Sequence, residues 1–273
     1  MSDARSILQN HYKDPSRLDA RRQLHAKYST NTHGFLAWVF EHLRLPPTCR
    51  VLEVGCGSGS LWLENRHRLP AGWKVALSDL SAGMVTAVPR QLSPSGHALR
   101  FVVQDAQALA LANRCFDAVI ANHMLYHVPN RSAAYAEFCR ALHPSGQLYA
   151  ATNSRDNMRE LDALVQRFHH APAQGSGASR PMNDSRLRSG FNLENGAAEL
   201  SQWFASVTLH CYANALVVPE AEPLVAYVRS TGRLTEDELT RLQRHVEAVI
   251  ERSGPIRISK EVGLFEASQP LAS

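Results

Sequence analysis

From residue 48 onward the chain alternates short apolar runs with stretches whose apolar residues recur at helical spacing. The runs at 50–54, 74–78, 99–103, 116–121 and 147–152 have the length of buried strands, and the stretches at 59–68, 81–91 and 131–142 read as helices. Strand and helix in turn predict a parallel sheet covered on both faces, because parallel neighbours need a crossover and the crossover helix packs on the sheet. Ahead of this zone, residues 3–44 read as two helical pieces. In the second, "FLAWVFEHL" puts Phe35, Trp38, Val39, His42 and Leu43 on one face, and "LPPT" ends it, since proline has no amide hydrogen to donate. Residues 154–200 break the rhythm: an amphipathic helix near "MRELDALVQRF" precedes "APAQGSGASRPMNDSRLRSG", whose small, polar and turn residues predict a mobile insertion or lid. The end returns to strands, "VTLHCYANALVV" and "IRISKEVGLFEA", around a helical stretch near 221–252.

Composition narrows the class. A chain of 273 residues, 44% of them hydrophobic, can bury one large core with an appended cap. No run reaches the roughly 20 apolar residues of a membrane span, and the start "MSDARSILQNHYKDPSRLDARR" lacks the apolar centre of a signal peptide, so neither a membrane partner nor secretion is expected. The five cysteines are scattered and form no CxxC pair, which points away from disulfides and zinc and towards reduced thiols in a cytoplasmic protein. A net charge of +4 suits an anionic small molecule and falls short of a nucleic-acid footprint. Only four of the 29 basic residues are lysines, a bias of the kind a GC-rich bacterial genome produces.

The most informative stretch is "VLEVGCGSGSLW", residues 51–62. Glycines between a buried strand and a helix let the backbone approach a ligand closely, with the helix amides favouring a negative group. Dinucleotide enzymes use GxGxxG in this place, but their third glycine would fall here at Ser60. "LEVGCGSG" instead resembles the first motif of class I S-adenosylmethionine (SAM)-dependent methyltransferases, an acid two residues before GxGxG, and specifically the small-molecule, type 11/25-like enzymes. Further stations agree in order: "VALSDLSAGM" with Asp79, Ser81 and Met84; "FVVQDAQAL" with Asp105; "FDAVIANHMLYHVP"; and "ALHPSGQLYAAT", with Pro144 and Gly146 at a turn.

By this resemblance Gly55 and Gly57 lie against the methionyl part of SAM in a loop that Cys56 and Gly59 complete, Glu53 sits near its ammonium, and Asn122 and His123, at the end of the fourth strand, are further cofactor-contacting candidates near the sulfonium carbon. Asp79 would accept from both ribose hydroxyls, a task suited to the two oxygens of a carboxylate. Leu80 and Met84 would sandwich the adenine, Asp105 would accept from its exocyclic amine, and the Ala106 amide would donate to the ring. Tyr28 in "HAKYSTN" would close over the cofactor, with His33 and Tyr12 weaker candidates for the same roof. Plainer readings stand beside these: Glu53 as a brace of the loop, Cys56 as a small spacer, Met84, Tyr28 and Trp38 as core.

At the reacting end His123, Tyr126 and His127 follow the fourth strand, and His123 is the first candidate for a general base, histidine being able to take a proton at neutral pH. The alternative is that both histidines are packed and hydrogen-bonded, since an acceptor that arrives deprotonated needs no base. Between 155 and 188, six arginines face four acids, which would suit an anionic acceptor or simply a solvated surface. No metal site is expected: "NHMLYHVPNR" holds no paired acids, and His169 and His170 are adjacent on a helix and point apart.

The fold expected is thus α/β, a Rossmann-like, doubly wound, seven-stranded, mostly parallel sheet with a helical cap and lid, and the resemblance implies that its last strand enters antiparallel. The expected organisation is a cap over 1–46, a SAM-binding core over 47–153, a lid over 154–200 and a return to the sheet over 201–273. The function implied is methyl transfer by in-line displacement to oxygen, nitrogen or carbon of a small molecule in bacterial secondary metabolism, with S-adenosylhomocysteine (SAH) as product. RNA or protein methylation, and SAM binding without transfer, are the alternatives.

Overall fold

The computed structural model describes residues 15–86, 98–168 and 190–271. Two helices, α1 (Pro15–Tyr28) and α2 (Phe35–His42), precede β1 (Thr48–Val54), α3 (Ser60–Asn65), β2 (Gly72–Asp79), β3 (Ala98–Val103) and β4 (Phe116–Asn122). Then come α4 (Arg131–Ala141), β5 (Leu142–Asn153), α5 (Arg159–Gln166), α6 (Gly196–Leu200), β6 (Phe204–Val218), α7 (Ala221–Thr231), α8 (Glu236–Ser253) and β7 (Ile256–Pro270). The strands form one sheet in the order β3-β2-β1-β4-β5-β7-β6. The neighbours from β3 to β5 are parallel, and β7 enters antiparallel to β5. This is the mostly parallel seven-stranded sheet that the sequence pattern predicts.

Two compact units divide the described residues. The larger draws on 33–86, 98–155, 190–212 and 262–271, the smaller on 15–32, 156–168 and 213–261. This partition differs from the four consecutive segments expected from the sequence: β6 and β7 each contribute to both units. In the larger unit alternate residues of each central strand serve opposite faces, as the period of two requires. Leu52, Val54, Val119, Ala121, Leu148 and Ala150 join one cluster with Tyr135 and Phe138 of α4. Val51, Ala118, Ile120, Tyr149 and Ala151 join the other with Val39 and Phe40 of α2 and Leu61 and Trp62 of α3. The buried face of α2 is therefore Val39 and Phe40, not the whole stripe read from the sequence; Phe35 and Trp38 are only half-buried.

The smaller unit packs α1, α5, α7 and α8 around Leu161, Val165, Leu224, Val228, Leu239 and Val246. Its longest helix, α8, opens on a capping box in which the Thr235 hydroxyl accepts from the Glu238 amide and the Glu238 carboxylate accepts from the Thr235 amide.

The turn expected at Pro144 and Gly146 is instead an irregularity inside β5. The register jumps from Phe116↔Leu142 to Ala118↔Gln147, so part of the segment loops out, a position where the missing proline amide costs the ladder nothing. Of "APAQGSGASRPMNDSRLRSG", all but the final Gly190 lies outside the described residues, as do Tyr12, His169, His170, Arg180, Arg186 and Arg188. Among the described residues no helix is long and apolar enough to cross a membrane.

Candidate functional site

The glycine loop joins β1 to α3 at the carboxyl ends of the central strands, where open α/β sheets place their ligands. Gly55, Gly57 and Gly59 adopt φ of +71°, +54° and +69°, the left-handed region that glycine enters without steric cost. The turn is tied back to the sheet: the Cys56 amide donates to the Ser78 carbonyl at 2.9 Å, and the Ser78 hydroxyl donates to the Glu53 carbonyl at 3.1 Å. Cys56 itself is buried beside Glu53 and Asp79, and burial, with those acids adding to it, pushes its thiol well above the usual range. A thiol held in its neutral form is not activated as a nucleophile.

Asp79, the last residue of β2, is clamped by the loop it serves. Its Oδ2 accepts from the Gly57 amide at 2.9 Å and its Oδ1 from the Ser81 amide at 2.8 Å. Each oxygen of a carboxylate can accept twice, so both retain capacity for a further donor. Next to it Leu80 is 43% exposed, and Val103, paired with Asp79 across the β2–β3 ladder, is 50% exposed. Met84 is half-buried one helical turn later, its amide donating to the Ser81 hydroxyl at 3.4 Å. Two exposed large apolar side chains flanking a buried strand end make a surface that favours a flat apolar partner.

At the end of β3, Asp105 accepts through Oδ1 from both the backbone amide and the side-chain amide of Gln107, each at 2.9 Å. Its Oδ2 accepts from no described residue. Ala106 is buried beneath it.

Glu53 lies on the α2–α3 face of the sheet with only 3% exposure. Its Oε2 accepts from the Trp62 indole at 2.6 Å and its Oε1 from the Asn122 amide nitrogen at 3.4 Å. Burial raises its pKa to about 7; the two hydrogen bonds work against that rise and the neighbouring charge of Asp79 adds to it. Asn122 ends β4, and its Oδ1 is buried with no hydrogen-bond partner among the described residues.

His123 follows at φ +51°, a left-handed conformation for a residue with a side chain. Its amide donates to the Ala151 carbonyl at 2.9 Å, which fixes the backbone there. Its ring lies 5.3 Å from that of Phe35 and 6.5 Å from that of Tyr126, and Tyr126 in turn lies 4.4 Å from His127. Phe35 extends the aromatic surface to Trp38 at 5.8 Å and Tyr212 at 5.3 Å.

The larger unit therefore brings together Glu53, Gly55, Cys56, Gly57, Gly59, Asp79, Leu80, Met84, Asp105, Ala106, Asn122, His123, Tyr126 and His127 along the β1–β4 strand ends and the loops that follow them. Tyr28 belongs to the smaller unit, buried in its core, with its hydroxyl donating to Glu220 at 3.4 Å and the Lys27 ammonium 5.0 Å from its ring. His33 accepts through its carbonyl from the Tyr212 hydroxyl, and its ring pairs with Glu41 at 2.9 Å. Two of the arginines considered for an anionic acceptor have acidic partners, Arg155 with Glu194 and Arg159 with Glu160 and Glu261.

Sequence reasoning missed two residues of the site. Trp62 binds Glu53 from α3, and the signal was present: a residue with one N–H donor on the helix that follows an acid's strand. Met124 covers Gly55, and nothing local marks it.

Residues 52–150 match the family described as a methyltransferase domain. A malonyl-[acyl-carrier protein] O-methyltransferase of Enterobacter lignolyticus is 33% identical over 164 residues, 59% of this chain and 62% of that protein. A ubiquinone biosynthesis O-methyltransferase of Xanthomonas axonopodis pv. citri is 36% identical over 111 residues, 40% of this chain and 45% of that protein. The chain thus spans less than two thirds of the length of these curated relatives. Among solved structures, phosphoethanolamine N-methyltransferase 2 of Haemonchus contortus in complex with SAM has a TM-score of 0.60 at 14% identity, over 99% of this chain and 61% of that one, a likeness of fold. Strand order, glycine loop and family match converge on one stretch: residues 52–150 match the methyltransferase domain family.

Proposed function

We propose that the protein transfers a methyl group from SAM to an oxygen of a small-molecule acceptor. The observation that carries this reading is the clamp between Asp79 and the glycine loop, in which one carboxylate tied to the Gly57 and Ser81 amides stands beside three left-handed glycines. The residues fit the cofactor. Asp79 has oxygen capacity left for the ribose hydroxyls, Leu80 and Met84 offer apolar surface for the adenine, and the Asn122 Oδ1 beside Glu53, without a partner among the described residues, suits a cationic donor such as the ammonium. Asp105 Oδ2 and the Ala106 amide are assigned to the adenine edge.

When bound, SAM supplies an electrophilic methyl carbon on a sulfonium. The work left to the chain is orientation and exclusion of water, which convert a bimolecular encounter into an aligned displacement. His123, held by its own backbone bond to Ala151 and by the Phe35 ring, is assigned to take the proton of the acceptor hydroxyl at a ring nitrogen as the oxygen attacks. Tyr126 and His127 complete the wall on that side. Oxygen is preferred as the receiving atom because the two relatives above are named O-methyltransferases, one acting in ubiquinone biosynthesis and one on a carrier-bound malonyl group.

The test is transfer of radiolabelled methyl from SAM into a bacterial metabolite extract, with small-metabolite and macromolecular fractions counted separately. Label in the metabolite fraction, in a base-labile ester or an ether, is the expected result. Label confined to macromolecules and not released from them by thioester cleavage overturns the small-molecule assignment.

A further inference from the structure

Trp62 is almost completely buried, at 1% exposure, yet carries a polar N–H that finds its acceptor in Glu53 Oε2 at 2.6 Å. A buried indole donor with a charged acceptor makes a hydrogen bond roughly twice as strong as a neutral pair. The other oxygen of Glu53 is poorly served among the described residues: Oε1 receives only the 3.4 Å hydrogen bond from Asn122 Nδ2, while Asn122 Oδ1 has no partner there. Glu53 ends its run on β1 and Asn122 ends β4, both on the sheet face that carries α3, so one oxygen of the carboxylate is satisfied from the helix and two acceptor oxygens are left at the strand ends. An ammonium brings three donors and no acceptor, which matches what that pair lacks.

We propose that Trp62 is a positioning residue for the ammonium end of the cofactor: by holding Glu53 Oε2 it fixes Oε1, together with Asn122 Oδ1, as the two acceptors for that group. The inference rests on the SAM reading above and goes one residue beyond it. The groups facing the Glu53 carboxyl are the Trp62 indole from α3, the Asn122 amide from β4, Asp79 from β2 and the Cys56 thiol from the loop. Burial and Asp79 favour its protonated form, whereas Trp62 and Asn122 favour the carboxylate. Loss of the indole donor therefore leaves the proton on Glu53 to higher pH, and only the carboxylate can pair with an ammonium. A purely structural tryptophan would instead lower affinity to the same extent at every pH.

The experiment is calorimetric titration of the full chain with SAH, from neutral pH to about pH 9, on wild type, Trp62→Phe, Glu53→Gln and the double variant. The expected outcome is binding about tenfold weaker in Trp62→Phe near neutral pH, the size of one hydrogen bond to a charged group, with the gap closing at high pH. In the Glu53→Gln background the same substitution adds nothing. Equal affinity of Trp62→Phe and wild type, or a loss constant across pH and undiminished in Glu53→Gln, overturns the inference while leaving the SAM reading intact. Wild type that binds no SAH at any pH overturns both. Should Trp62→Phe not fold, the indole 15N–1H resonances of wild type carry the test. One of the four must move with the titration of Glu53 and lose that movement in Glu53→Gln; if none does, the inference fails.

Discussion

Met124 occupies the space a side chain at residue 55 would need: a Cβ built on Gly55 comes within 2.7 Å of the Met124 Cβ and 2.9 Å of its Cγ. The loop therefore needs glycine at 55 for two separate reasons, the left-handed φ of +71° and the methionine lying against it. Gly55→Ala is expected to destabilise the protein by about 2–4 kcal/mol, the sum of left-handed strain and overpacking. Thermal melts measure it. In a Met124→Ala background the cost should fall only in part, because the Cγ at 2.9 Å is gone while the Cβ at 2.7 Å remains. An equal cost in both backgrounds would contradict the contact.

The pH dependence of stability should carry the mark of Glu53. Its ordinary pKa of 4.5 rises to about 7 in the folded chain through burial, so between those values the folded state holds a proton that the unfolded state releases. Stability of the cofactor-free protein thus falls as pH rises through that window, the reverse of the common carboxylate case. Glu53→Gln removes this slope. Urea denaturation across the window should show the wild type losing on the order of 3 kcal/mol relative to the variant. A pH-independent difference would contradict the burial argument.

His123→Asn tests the proposed base. Asparagine tolerates the left-handed φ of +51° better than most residues, so the backbone should survive while the proton acceptor is lost. With an acceptor identified by labelling, kcat is expected to fall by about 10²–10⁴, with SAH affinity little changed. A kcat within threefold of wild type would assign His123 to packing against Phe35 alone.

Much of this architecture was legible along the chain, because strand length, helical spacing and turn chemistry are local signals. The β1–loop–α3 passage could be read from "LEVGCGSG", where each glycine answers a backbone demand that no neighbour needs to explain. The contacts that complete the site are of two kinds. Trp62 reaches Glu53 within the β1–loop–α3 passage, where its indole donor could have been read, whereas Met124 meets Gly55 only once β1 and β4 are neighbours, so composition and period are silent about that pair. The six arginines between 155 and 188 show the same limit: Arg155 looked available for an anion, but its partner Glu194 is brought to it by the fold from outside that stretch. Pro144 and Gly146 marked a turn correctly in chemistry and wrongly in kind, since a register jump inside β5 absorbs them equally well. The nesting of the smaller unit was hidden for a different reason. β6 and β7 are 15 residues each, and an unbroken strand pattern gives no sign that its two halves belong to different compact units.

The central claim is that the Asp79 clamp and the glycine loop form a SAM site, and titration of the cofactor-free chain with SAH tests it most directly, wild type against Asp79→Ala. Saturable one-to-one binding by wild type, weakened about a hundredfold by loss of the carboxylate that is assigned both ribose hydroxyls, is the predicted result. Absence of binding to folded wild type, or equal affinity in Asp79→Ala, would contradict the account.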